Sequence, residues 1–252
     1  YTDRLKRTNS PALMKALLIN SAQSVDARYN HNVRSTVNHQ GWGLPNLGRA
    51  VPALAWDLAG DKPTDEDAWP TRVIDQSLTN ALATGQSRSW EITLGTNALH
   101  YPLRFTLAWT DPPGNPNAAV KLVNDLDLIV TPISSSSVDP GAPGDPGDPG
   151  DPGDEPPETD EVYYGNNIGS SVYSSMGVTN DVVNNVENVF IEEPGAEQYR
   201  ITVYARRVNV DALSAFYGAE KPTDHVDVVQ DFALVMSSAN PEVGDAFNIK
   251  TD

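Results

Sequence analysis

Two patterns of apolar and polar residues divide the chain. In the first sixty residues the apolar positions cluster as they do in helices. Ser10-Pro11 opens one such stretch, with a hydroxyl cap followed by proline at a position whose missing N–H costs nothing. Ala12, Leu13, Met14, Ala16, Leu17, Leu18 and Ile19 follow, with Lys15 the one charge. A helix apolar on nearly every side is expected to be buried. Gly41-Trp42-Gly43 with Leu44-Pro45 predicts a turn, and Asn46 is placed to cap a second short helix through Leu47, Ala50 and Val51. Two such helices cannot form a domain alone, and a partner outside this chain is expected to cover them.

From about residue 70 the period changes to that of strands. Expected strands are 72–78, 89–94, 103–109, 119–131, 162–164, 186–191, 199–206 and 231–237. Tyr199-Arg200-Ile201-Thr202-Val203-Tyr204 alternates cleanly. Short strands punctuated by Pro, Gly and Asn, with no helices between them, predict a mostly β antiparallel jelly roll or β-sandwich barrel. The expected organisation is a helical stretch over 1–60, a β-domain over 70–238 and a tail or linker over 239–252. An acidic Pro/Gly/Asp insert at 133–161 repeats Gly-Asp-Pro and is expected to stay extended and solvated. Strands on both sides of it read as one sheet system, so it is expected to be a hairpin insertion.

Composition narrows the function. The formal net charge is −17 over 252 residues. Nine acidic residues and no basic ones lie between Asp139 and Glu161. Nucleic acid and anionic membranes attract basic surfaces, so neither is expected as a partner. There is no cysteine, which removes disulfides, thiolate metal sites and thiol nucleophiles. The opening Tyr1-Thr2-Asp3 has neither a start methionine nor a signal pattern, so the chain reads as a fragment of something longer.

The best candidate for site chemistry is Asn124-Asp125-Leu126-Asp127-Leu128. On a strand Leu126 and Leu128 would point into the core, while Asp125 and Asp127 share the opposite face. Two carboxylates on one face repel unless a cation or donors lie between them, and calcium takes six to eight oxygens. Asn184, Asn185 and Glu187 are oxygen-rich and could lie alongside. The other reading is a pair of solvated aspartates at a strand end, with the asparagines in turns. Residues 168–181 contain one carboxylate, Asp181, and make a poor second cage. The Asp repeats of the insert predict a diffuse counterion cloud. Trp42, Trp56, Trp69, Trp90 and Trp109 are expected to pack in the interior or at interfaces, not to form a sugar platform.

Several segments in order carry a family resemblance. Ser10 to Ala22 resembles the late helix of a subtilisin-like catalytic domain, and Gly41 to Leu47 the loop and helix that close it. Leu107 to Asp111, Leu122 to Leu128, Gly165 to Asn167, Asn184 to Ile191, Tyr199 to Ala205 and Gln230 to Val235 follow. Together they resemble the C-terminal jelly-roll barrel of the alkaline, oxidatively stable bacterial subtilases. The resemblance implies the C-terminal part of a secreted, extracellular serine endopeptidase, with a barrel that stabilises the protease. Its partners would be the rest of its own catalytic domain and its protein substrates. It also implies calcium, for which Asp125, Asp127, Asn184, Asn185 and Glu187 are the ligand candidates. The family's Asp, His and Ser triad has its serine in a Gly-Thr-Ser motif, which this chain lacks, so the triad is expected upstream and the chain alone is expected to be inactive. His31, His39, His100 and His225 stand in turn or strand-edge contexts and are not expected to be catalytic. The alternative expectation is a noncatalytic extracellular β-sandwich module that binds polysaccharide or protein.

Overall fold

The structure, a computed structural model, describes residues 9–23, 41–51, 71–77, 80–133, 162–168, 173–177, 180–213, 228–238 and 247–251. The insert expected at 133–161 lies outside them except for Ile133, as do Trp56, Trp69, His31, His39 and His225.

The chain is mostly β, and the described residues form ten strands in two antiparallel sheets. They are β1 (Thr71–Ile74), β2 (Ser87–Leu94), β3 (Leu103–Ala108), β4 (Asp125–Ile133), β5 (Tyr163–Ile168), β6 (Ser174–Met176), β7 (Val186–Ile191), β8 (Gln198–Arg207), β9 (Ala233–Ser238) and β10 (Phe247–Thr251). One sheet has the order β1-β9-β3-β7 and the other β10-β2-β8-β4-β5-β6. Two of the strands were not expected. β6 is too short to show a period, and β10 falls in the stretch expected to be a tail or linker, where it pairs with β2 as an edge strand. β4 and β5 flank the acidic insert and pair with each other, so the insert joins adjacent strands of one sheet.

The sheets pack face to face through alternate residues. Leu126, Leu128 and Val130 of β4, Ile201 and Val203 of β8, and Leu103, Phe105 and Leu107 of β3 share one buried core with Trp90 and Trp109. Each such large side chain, fully buried, contributes about 1.5–3 kcal/mol. Both tryptophans are therefore core residues, as expected.

Helix α1 (Pro11–Asn20) forms a third layer. Ser10 Oγ accepts from Leu13 N at 2.9 Å and Pro11 stands in the first turn, as the sequence predicts. Asn46 Oδ1 likewise caps the short helix α2 (Leu47–Ala50) by accepting from Arg49 N. The expectation that α1 needs a partner outside the chain is corrected in half. Ala12, Leu13, Ala16 and Leu17 pack on Ala108, Val186, Ala233 and Val235, the outer face of the four-stranded sheet. Met14 and Leu18 lie on the opposite side of the helix and are 47% and 40% exposed. An all-apolar helix carries no stripe to say which side is covered, so the sequence could not divide it.

Polar bonds fix α1 to the sheet. Arg104 Nη1 donates to Asn20 O at 3.0 Å and to Ala22 O at 2.5 Å, satisfying carbonyls at the helix end. Its guanidinium lies 4.4 Å over the Phe190 ring, which Trp42 meets edge-on. Burial, then the nearby Arg49, lowers the Arg104 pKa to about 10.

Candidate functional site

β4 alternates as the sequence predicts. Leu126 and Leu128 enter the core, and Asp125 and Asp127 face the other way. The alternative reading of them as solvated aspartates does not hold, because each is only 2% exposed. Glu187 reaches the same strand from the facing sheet. On β7 it shares the inward side with Val189 and Ile191, and its Oε2 accepts from Leu128 N at 2.5 Å. The β4–β5 ladder pairs Ile129 with Tyr164 and goes no further toward Leu128. The Glu187 carboxylate thus stands where the ladder would supply an acceptor. Gly165 makes room for it, because a Cβ there would meet Glu187 Oε2 at 2.2 Å.

Electrostatics at this point is unfavourable to full ionisation. Burial raises the proton affinity of Asp125, with Asp127 adding to it, while Arg207 and Arg206 oppose. Burial also raises that of Asp127, partly offset by an ion pair of its Oδ2 with Arg206 Nη2 at 2.8 Å. Glu187 is pushed well above the ordinary carboxylate range, first by burial and then by Asp127, Asp181 and Asp125. Asp125 Oδ1, Asp127 Oδ1 and Glu187 Oε1 are buried without a hydrogen-bond partner among the described residues.

The structure divides the five residues expected to hold calcium. Asp125, Asp127 and Glu187 come close enough to repel one another. Asn185 does not join them, because its Oδ1 accepts from Lys15 Nζ at 2.7 Å and its Nδ2 donates to Trp109 O. Asn184 Nδ2 donates to Asp181 Oδ2 at 2.7 Å. Among the described residues no three Asp, Glu or His side chains form a group that could hold a metal ion. What comes together is a set of carboxylates with buried oxygens that have no donor among the described residues, on Asp125, Asp127 and Glu187.

Asp181, set aside on sequence as an isolated carboxylate, is part of this site. It receives Asn166 Nδ2 at 2.6 Å, and its Oδ1 accepts from Val183 N and Asn184 N. Asn166 takes φ 60°, a left-handed conformation that asparagine tolerates, and its Oδ1 accepts from Asn188 N at 3.0 Å. Asn188 Oδ1 accepts from Thr106 Oγ1, and Asn20 Nδ2 of α1 donates to that same Thr106 oxygen at 3.1 Å. A buried chain of polar groups therefore runs from the helix, across the four-stranded sheet, to the loop beside the acidic cluster. Its members are far apart in sequence, and no spacing rule finds them.

His100, itself exposed, ends a 3-10 helix at Thr96–His100. Ser21 Oγ bonds Leu18 O at the end of α1. Among the described residues neither meets a nucleophile or base partner.

No family model matches the chain. Three proteins of Dictyostelium discoideum are similar to it. "Serine protease/ABC transporter B family protein tagD" is 28% identical over 221 residues, 75% of this chain. The tagB protein of the same description is 23% identical over 86% of the chain, and tagA 25% over 79%. The chain spans only 10%, 12% and 9% of their respective lengths. The chain is thus a distant relative of one portion of proteins whose names include a serine protease.

Proposed function

We propose that this chain is the C-terminal part of a secreted subtilisin-like serine endopeptidase, in which the β-sandwich stabilises the end of the catalytic domain. The observation that carries the reading is the two-sided helix α1. One side is held to the sandwich by Leu13, Leu17, Asn20 and Arg104. The other exposes Met14 and Leu18, and nearby α2 and its preceding turn expose Leu47 and Leu44. Such a helix suits a position between two bodies. The distant similarity to proteins named as serine proteases supports the same reading. Peptide-bond hydrolysis would then be done by an Asp, His and Ser carried before Tyr1. This chain would contribute stiffness, because unfolding of α1 would require loss of both its sheet contacts and its contacts to the catalytic body.

A calcium contribution is a separate part of the proposal. Its support is the donorless oxygens on Asp127 and Glu187, whose mutual repulsion a divalent cation would relieve.

The test is to express the polypeptide with the several hundred residues preceding Tyr1 and label it with a fluorophosphonate probe. Labelling of a serine in that upstream part, lost on replacing that serine and absent from the 252-residue chain alone, is the expected result. An upstream stretch with no labelled serine overturns the reading.

A further inference from the structure

A second feature of the same end of the sandwich is a pocket of about 440 Å³, where β4 begins and β8 ends. Its apolar wall is Val120, Leu122 and Val182, and two of these are unusually open for valine, Val120 at 45% and Val182 at 42% exposed. Its charged wall is Asp125, Arg206 and Arg207. Asp125 is 98% buried by the complement of its 2% exposure, and its Oδ1 has no hydrogen-bond partner among the described residues. Among the described residues the one hydrogen bond of the Arg207 guanidinium is a long one, Nη2 to Leu122 O at 3.4 Å. A guanidinium carries five donors, so most of its capacity is left.

The frame beneath this pocket is rigid. Asn124, fully buried, accepts from Asn209 N and Val210 N and donates to Val210 O and Gln230 Oε1. Asp111 receives Val123 N and Asn124 N. Asn209, which also lines the pocket, is tied by Nδ2 to Val123 O at 2.9 Å. Groups fixed in this way lose little entropy when a ligand arrives.

The charges select the ligand class. A lone cation would satisfy Asp125 but face two guanidinium groups. A lone anion would satisfy the arginines but face the buried carboxylate. A wholly apolar ligand would leave Asp125 Oδ1 without a donor and would desolvate Arg207 with one long hydrogen bond. The match is a molecule with a carboxylate, an N–H donor and an alkyl group close together, and an apolar α-amino acid end carries all three on one Cα.

We propose that this pocket binds the end group of an apolar α-amino acid, free or at the C-terminus of a peptide. The carboxylate engages Arg207 and the unused donors of Arg206, the amide N–H or ammonium donates to Asp125, and the side chain lies against Val120, Leu122 and Val182. The proposal stands on the pocket and does not depend on the protease reading.

The test is calorimetric titration of the 252-residue chain in chelator-containing buffer, so that no metal contributes. The probes are leucine, a tripeptide ending in leucine as the free acid, and the same tripeptide as its C-terminal amide. The free acid is expected to bind at least tenfold more tightly than the amide. Arg207→Gln is expected to remove that preference. Arg200→Gln, on the same sheet but paired with Glu91, is expected to keep it. Tight binding of leucine alone identifies the free amino acid as the ligand, and binding of the tripeptide alone identifies a chain end. A thermal melt accompanies each variant, and if Arg207→Gln does not fold, Asp125→Asn, with weaker binding of both tripeptides expected, takes its place. Equal affinity for acid and amide, or no binding by any of the three, overturns the proposal.

Discussion

Gly165 and Glu187 occupy one space: a Cβ on the glycine would fall 2.2 Å from the glutamate Oε2 and 2.6 Å from its Cβ. The two come from different sheets, and their fit lets a carboxylate from β7 bond the backbone of β4. Gly165→Ala is therefore expected to destabilise the chain by about 1–3 kcal/mol, the usual cost of overpacking. In a double-mutant cycle with Glu187→Gly, which removes both the carboxylate and the Cβ, the penalty of the alanine should largely vanish. Urea unfolding measures it, and additive penalties would mean that the close approach is not what the glycine serves.

The helix is expected to depend on its polar ties as much as on its leucines. Arg104→Met removes donors from Asn20 O and Ala22 O, and Asn20→Ala breaks the start of the polar chain through Thr106 and Asn188. Each is expected to cost about 1–3 kcal/mol. Hydrogen exchange locates the effect: faster exchange should appear in 11–20 before it appears in β8.

Stability is expected to fall as pH rises through and above the ordinary carboxylate range. Asp125, Asp127 and Glu187 all have folded-state proton affinities raised above the unfolded chain's. The native state then holds more protons than the unfolded state, and the slope of unfolding free energy against pH is negative. The melting midpoint should rise as pH is lowered from neutral toward about 5, just above the ordinary carboxylate values. Glu187→Gln should flatten that rise. An unchanged slope in the variant would place the pH dependence elsewhere, for example in the general acidity of the chain.

Calcium is expected to act on the same repulsion. Addition to millimolar levels should raise the melting midpoint at neutral pH, and chelator should reverse it. At a hundredfold excess over its dissociation constant the ion would add about 2.7 kcal/mol. The gain should shrink in Asp127→Asn. A midpoint that ignores both calcium and chelator removes the ion from the proposed function.

The exposed side of α1 gives a separate check. Met14→Glu with Leu18→Glu should leave the melting of the 252-residue chain within about 0.5 kcal/mol, as exposed positions allow. In the longer polypeptide the same pair should lower both stability and activity. Indifference in the longer form would mean that nothing docks there.

Much of the site's chemistry was readable as local pattern. The alternation in Asp125-Leu126-Asp127-Leu128 fixes which residues share a face, because strand side chains have a strict period of two. The Ser10 and Asn46 caps were readable for the same reason, since a cap and its helix are neighbours in the chain. The membership of Asn184 and Asn185 was not readable. Lys15 and Asp181, each distant or unremarkable in sequence, take up their side chains. Arg206 was hidden too: its outward direction on β8 follows from alternation, but its meeting with Asp127 depends on the register between β8 and β4.

The sequence by itself determined a mostly β sandwich, the inward faces of its strands and the two helix starts, because these depend on spacing over a few residues. Only the tertiary structure decided that α1 is half covered by the four-stranded sheet, that Phe247–Thr251 is an edge strand, and that the buried Asp125, Asp127 and Glu187 come together with the half-buried Asp181 beside them. Those relations join residues tens to hundreds of positions apart. They are set by which surfaces exclude water together, and no local pattern records that choice.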